Sequence, residues 1–183
     1  MPPPTGHDYD YAERKVLKVT VGYPEIELLS DDAKFVFDLW LAAKGDSKLP
    51  LQRHFHIDEF PPKVVPWTIV YDVVGEGSDF FYRFFGTQRV NAHNKDYTGL
   101  HVSNMDPQQI REKIMDELRE VCMSAEPIQI TTTARVYDEE FQYRMLRMPL
   151  SEDGSTVTRI IAITFDGTGP ELDTNLMRRW HQR

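Results

Sequence analysis

The first sustained hydrophobic period in the chain is helical. Residues 31–44 hold Ala33, Phe35, Val36, Phe37, Leu39, Trp40, Leu41, Ala42 and Ala43, with Ser30 or Asp31 placed to cap the start and Gly45 to stop the end. That apolar face is wider than the single stripe of an ordinary surface helix, so the helix needs cover on two sides. Either the domain body and its own loops supply that cover, or a second copy does, with Val36, Phe37 and Trp40 at a homodimer seam.

Upstream, residues 16–21 include three valines but alternate poorly, which fits a short peripheral strand or an irregular arm. Residues 1–11 hold three consecutive prolines and little to bury, and are expected to be disordered. Downstream of the helix, Pro50, Pro61, Pro62 and Pro66 mark an ordered irregular connection.

The period then changes to two. In residues 67–74, Trp67, Ile69, Tyr71 and Val73 share one face, and Val70 and Val74 the other. A turn at 75–79 leads to residues 80–85, where a straight strand puts Phe80, Tyr82 and Phe84 on one side and Phe81, Arg83 and Phe85 on the other. Both faces of this hairpin are apolar, so cover is expected on the back as well as the front. A helical turn at 88–92 follows. A longer helix then opens at Asp106 and Pro107 and runs to about Met123, with an apolar stripe of Ile110, Ile114, Leu118, Val121 and Cys122 and with Arg111, Glu112, Glu117 and Glu120 elsewhere. Strands at 128–137, 141–150 and 158–165, joined by short acidic turns, complete the pattern.

The elements predict an α+β domain over residues 31–166, a five-stranded antiparallel sheet with helices on one face and an N-terminal flanking helix, between an extension (1–30) and a tail (167–183) that is helical or frayed.

Composition narrows the partners. The chain has 183 residues, with 21 Lys and Arg against 29 Asp and Glu, a formal net charge of −8. Nucleic-acid affinity is carried largely by basic clusters, so this balance argues against such a partner. A single cysteine, Cys122, rules out an internal disulfide, no stretch reaches the ~20 apolar residues that span a bilayer, and the first residues lack the order of a signal peptide. Together these suggest a cytoplasmic protein.

The stretches Leu49-Pro50 with the proline-rich loop, Tyr82-Arg83-Phe84-Phe85-Gly86-Thr87, and Asp96-Tyr97-Thr98-Gly99-Leu100, in that order, resemble a family of short PAS-like proteins found mainly in alphaproteobacteria. The similarity extends over roughly residues 31–165. It implies a sensory or interaction fold with a small internal cavity, often dimeric; most members have no assigned function. PAS domains that bind flavin covalently carry an Asn-Cys-Arg segment, which is absent here. In haem-binding PAS domains a helical His is a common axial ligand; His93 lies in that region but, next to Asn94 and Lys95, reads as a solvated residue, so the cofactor is left unknown.

Within that framework the expected cavity lining is Phe84, Val90, Tyr97, Met105, Ile114, Met145 and Ile161, with Arg83 and Arg147 as polar anchors. Each arginine lies on a largely apolar strand face and must be paired; Asp72 or Asp96 suits Arg83, and a ligand anion is the alternative for either. His54-x-His56-x-Asp58 has the donor types of a metal site, but Phe55 and Phe60 point to packing and no metal is assigned. No nucleophile elbow, phosphate loop or His-Glu-x-x-His stretch is present, and Gly75-x-Gly77 is a hairpin turn, so no catalytic residue is assigned. A small isomerase or hydrolase would have only Asp72 with Tyr71 or Tyr82 to use. The expected action is ligand binding and association with an unknown downstream protein.

Overall fold

A computed structural model describes residues 14–168 apart from 94, 137 and 138. The expected disorder of residues 1–11 and the fate of the C-terminal tail lie outside the described residues. The architecture is α+β, built on one open antiparallel sheet of six strands rather than five. Chain order gives β1 (Arg14–Gly22), α1 (Asp31–Lys44), β2 (Thr68–Val74), β3 (Asp79–Phe85), α2 (Thr87–His93), α3 (Gln108–Ser124), β4 (Ile128–Val136), β5 (Glu139–Ser151) and β6 (Val157–Thr168). In space the strands run β1-β4-β5-β6-β2-β3.

The extra strand is β1, which pairs with β4 along its whole length. Its poor alternation has a local cause. The register shifts between Val16 and Lys18, so Leu17 is an inserted residue, and Val16, Val19 and Val21 face the same side opposite Ala134, Thr132 and Ile130.

Helices cover both faces. Ser30 caps α1 by accepting from the Ala33 N–H, and Gly45 ends it. Ala33, Val36, Phe37 and Trp40 of α1 are buried in one core cluster with Val70, Leu146, Met148, Ile161 and Ile163 of the sheet. The Trp40 indole N–H donates to the Pro149 carbonyl at 2.8 Å, and its ring stacks on Phe37. The homodimer seam expected at Val36, Phe37 and Trp40 is therefore corrected. These side chains are consumed by the chain's own sheet, and the outward face of α1 carries Phe35 and Leu41 instead.

On the opposite face α3 packs over a second cluster containing Ile69, Tyr71, Phe80, Tyr82, Phe85, Ile128, Ile130, Met145, Ile160 and Ala162, to which it adds Met115, Leu118 and Val121. Between the two, Gly86 ends β3 where a Cβ would stand 2.3 Å from the Pro66 carbonyl oxygen, a backbone approach that only glycine allows.

Candidate functional site

Cross-strand register decides which side chains meet on the α3 face. Residues directly opposite in neighbouring strands share a face, and Ile128, Arg147, Ala162, Ile69 and Phe85 form one row across β4, β5, β6, β2 and β3. Adjacent rows supply Ile130, Met145 and Thr164 on one side, and Ile160, Tyr71 and Tyr82 on the other. With α3 laid across these rows, a cavity of about 60 Å³ remains. Its walls are mainly apolar: Ile69, Met105, Ile114, Ile130 and Met145. Val16 is its exposed member, and Lys113, His93, Ile110 and Ile114 are half-buried.

Arg147 is the polar centre of that lining, with a relative exposure of 1%. Its Nη2 donates to Glu117 Oε2 at 2.6 Å, while Lys113 Nζ donates to Glu117 Oε1 at 2.5 Å. Two cations thus share one carboxylate. The guanidinium also lies over the Tyr71 ring, 5.6 Å from its centroid. Arg147 Nε and Nη1, both buried, have no hydrogen-bond partner among the described residues, and neither does the buried Thr132 hydroxyl farther along β4. Burial opposes the arginine charge, but Tyr71 and Glu117 outweigh it and hold the pKa above the ordinary value. Burial, with help from Tyr71, pushes the Tyr82 phenol well up, so it stays neutral, and its hydroxyl lies 3.3 Å from the Met105 sulfur.

Four of the expected lining residues, Met105, Ile114, Met145 and Arg147, do line this cavity. Tyr97 is buried behind its wall, against Tyr82 and Phe85, and Val90 packs on the same core without reaching the lining. Phe84 and Ile161 belong to the other face. For Phe84 the reason is a bulge: Val70 pairs with Phe84 and Tyr71 with Tyr82, so Arg83 is an inserted residue and the alternation resets. Phe80, Tyr82 and Phe85 consequently share the cavity face, and Phe84 packs with the α1 cluster. Ile161 alternates with Ile160 and Ala162, which already occupy the cavity face.

Arg83 is also corrected as a cavity anchor. Its side chain is 54% exposed and donates from Nε to Asp72 Oδ2 at 2.5 Å, while Arg159 Nε holds Asp72 Oδ1 at 2.8 Å. Burial alone would raise the Asp72 pKa, yet these two arginines bring it below the usual carboxylate value. Asp72 and Tyr71 are successive residues of β2, project to opposite faces, and do not meet as an acid–tyrosine pair.

Sequence reasoning missed Glu117, Lys113 and Arg89. Glu117 stands seven residues after Ile110 and three after Ile114, inside the apolar stripe of α3, a position that marks a charged residue as buried. Arg89 lines the cavity from α2 and donates to Thr164, and His93 is packed against Phe85 and Tyr97 with Arg89 3.0 Å away, rather than solvated. Phe55 and Phe60 are buried in edge-to-face contact, and among the described residues no three His, Cys, Asp or Glu side chains are grouped as metal ligands.

No protein-family model matches the chain, and no curated protein matches it. No helix among the described residues is long and apolar enough to cross a membrane.

Proposed function

We propose that this protein is a cytoplasmic, non-enzymatic sensory domain of PAS-like architecture that holds a small molecule under α3 and passes its state on by associating with another protein. The observation that carries the reading is Arg147, a fully buried guanidinium at a cavity wall with two nitrogens unpartnered among the described residues. Buried polar groups are costly to leave unsatisfied, so such donors point to an occupant. The PAS-like part is supported by the element order, with a β2–β3 hairpin, a helical crossover, and three antiparallel strands that return to β2. A binding role is favoured over proton-transfer chemistry because both oxygens of the cavity's carboxylate, Glu117, are already held by cations.

Mass spectrometry of the material released on denaturing protein purified from its own host tests the reading. A stoichiometric small molecule is expected. An empty protein whose melting temperature no small molecule raises would overturn it. The ligand-free homodimer reading now rests on one feature, the exposure of Phe35 and Leu41 on the outer face of α1. It predicts a dimer in sedimentation that Phe35→Glu dissociates.

A further inference from the structure

The occupant's chemistry follows from charge, volume and the placement of donors. Arg147 and Lys113 supply two positive charges and Glu117 one negative charge to one hydrogen-bonded cluster, a formal +1 within a chain of net −8, while Arg89, the third cation of the lining, is bonded to Thr164 and stands outside that cluster. A monoanion brings the cluster to zero, whereas a dianion would leave it negative with Glu117 as a close like-charged neighbour. The cavity of about 60 Å³ holds roughly four to six water-sized positions, each needing ~10–15 Å³. It is far below the several hundred cubic ångströms of a typical drug-sized pocket.

Arg147 carries the unpartnered donors at one end, and Arg89, already bonded to Thr164 opposite Met145, stands a row away. Ile69, Ile114, Ile130, Met105 and Met145 form the remaining apolar wall. The buried Thr132 hydroxyl lies four residues along β4 from Ile128, the cross-strand partner of Arg147, at roughly 13 Å for ~3.3 Å per residue. Its backbone position is thus two same-face steps from the Ile128–Arg147 row, beyond Ile130. A tetrahedral oxyanion needs donors on several sides, while a short carboxylate presents one charged end and one hydrocarbon end.

We infer that the cavity binds a small aliphatic monocarboxylate of about two to four carbons, its carboxylate accepting from one of the two unpartnered Arg147 nitrogens, Nε or Nη1, on either side of the Nη2 that holds Glu117, and its alkyl tail against Ile69, Ile130 and Met145. This inference rests on the reading of the cavity as a ligand site. It adds a device for signalling. Arg147 sits on β5 and Glu117 on α3, so a carboxylate on another nitrogen of Arg147 shares the guanidinium charge with Glu117 and weakens the Nη2 tie that holds the helix to the sheet.

Isothermal titration of the full chain at pH 7, in chloride buffer free of carboxylates, compares acetate, propanoate and butanoate with their amides and with inorganic phosphate. At least one acid binds saturably, once per chain and at least tenfold tighter than its amide. Arg147→Gln removes that preference. Should that variant fail to fold, Ile114→Phe narrows the cavity with the Arg147–Glu117 pair intact and weakens the acid at least tenfold. An amide that binds as tightly as its acid overturns the inference and leaves the cavity reading standing, as does binding of phosphate in place of the acids. Binding by none of the probes also overturns it, and the cavity reading is then decided separately by the material released from the purified protein.

Discussion

Replacing either member of the Arg147–Glu117 pair removes the same 2.6 Å contact, yet the two replacements are expected to differ in cost. Glu117→Gln keeps the side-chain shape and leaves Arg147 charged, fully buried and without its anion. Removing one partner of a buried pair costs about 3–5 kcal/mol. Arg147→Met leaves Glu117 bonded to Lys113, whose side chain is about one-third exposed and reaches water. That variant loses one charge-assisted bond, about 1.5–3 kcal/mol, but also removes two unpartnered buried nitrogens, each a burden of about 1–3 kcal/mol. Its net cost is expected to stay below about 2 kcal/mol. The double variant should be more stable than Glu117→Gln alone by about 1–3 kcal/mol, because no stranded charge remains. Urea unfolding followed by circular dichroism measures all four proteins, and Glu117→Gln should melt roughly 6–20 °C below wild type, at ~2–4 °C per kcal/mol. An Arg147→Met variant as unstable as Glu117→Gln, or single costs that add to within about 0.5 kcal/mol, would refute the description of the cluster.

Trp40→Glu places a charge where α1 meets the sheet and removes the bond to Pro149, so it should abolish cooperative unfolding; a folded Trp40→Glu monomer would restore the dimer-seam reading. Burial pushes the Cys122 thiol from 9.0 up to about 11, which lowers its thiolate fraction at pH 8 about a hundredfold, so alkylation of the native protein should be slower than that of the urea-unfolded chain by about that factor. Equal rates would contradict its placement. The folded Asp72 pKa lies below its unfolded value of ~3.9, so its contribution to stability is present above that value and fades as pH falls through the lower folded one. The stability gap between wild type and Asp72→Asn should be flat above about pH 5 and shrink below about pH 4; a gap independent of pH would contradict the pairing with Arg83 and Arg159.

The elements whose local period survives folding were legible in the sequence. The α1 helix with its Ser30 and Gly45 ends, the β2 alternation and the apolar stripe of α3 all stand where the pattern puts them. What the pattern hid has two physical sources. Bulges at Leu17 and Arg83 break a period of two without altering composition, so β1 reads as irregular and an unbroken alternation puts Phe84 and Phe85 on each other's faces. The partner of a buried charge is set by residues distant in the chain: the place of Glu117 in the apolar stripe marks it as buried, but only the fold brings Arg147 of β5 beneath α3 to pair with it. The broad apolar face of α1 is equally compatible with a second copy and with the chain's own sheet, and only the tertiary packing of Trp40 onto Pro149 distinguishes them.

Methionine methyl groups report on the cavity directly. Met105 and Met145 line it, Met148 is buried on the opposite sheet face, and Met123 is exposed. In a spectrum of protein labelled with methyl-13C methionine and titrated with butanoate, the Met105 and Met145 signals should shift along one saturating curve while Met148 and Met123 stay in place. If the Met105 and Met145 signals stay fixed under every acid and amide tried, or move no more than that of Met123, the claim that this cavity is a binding site is contradicted.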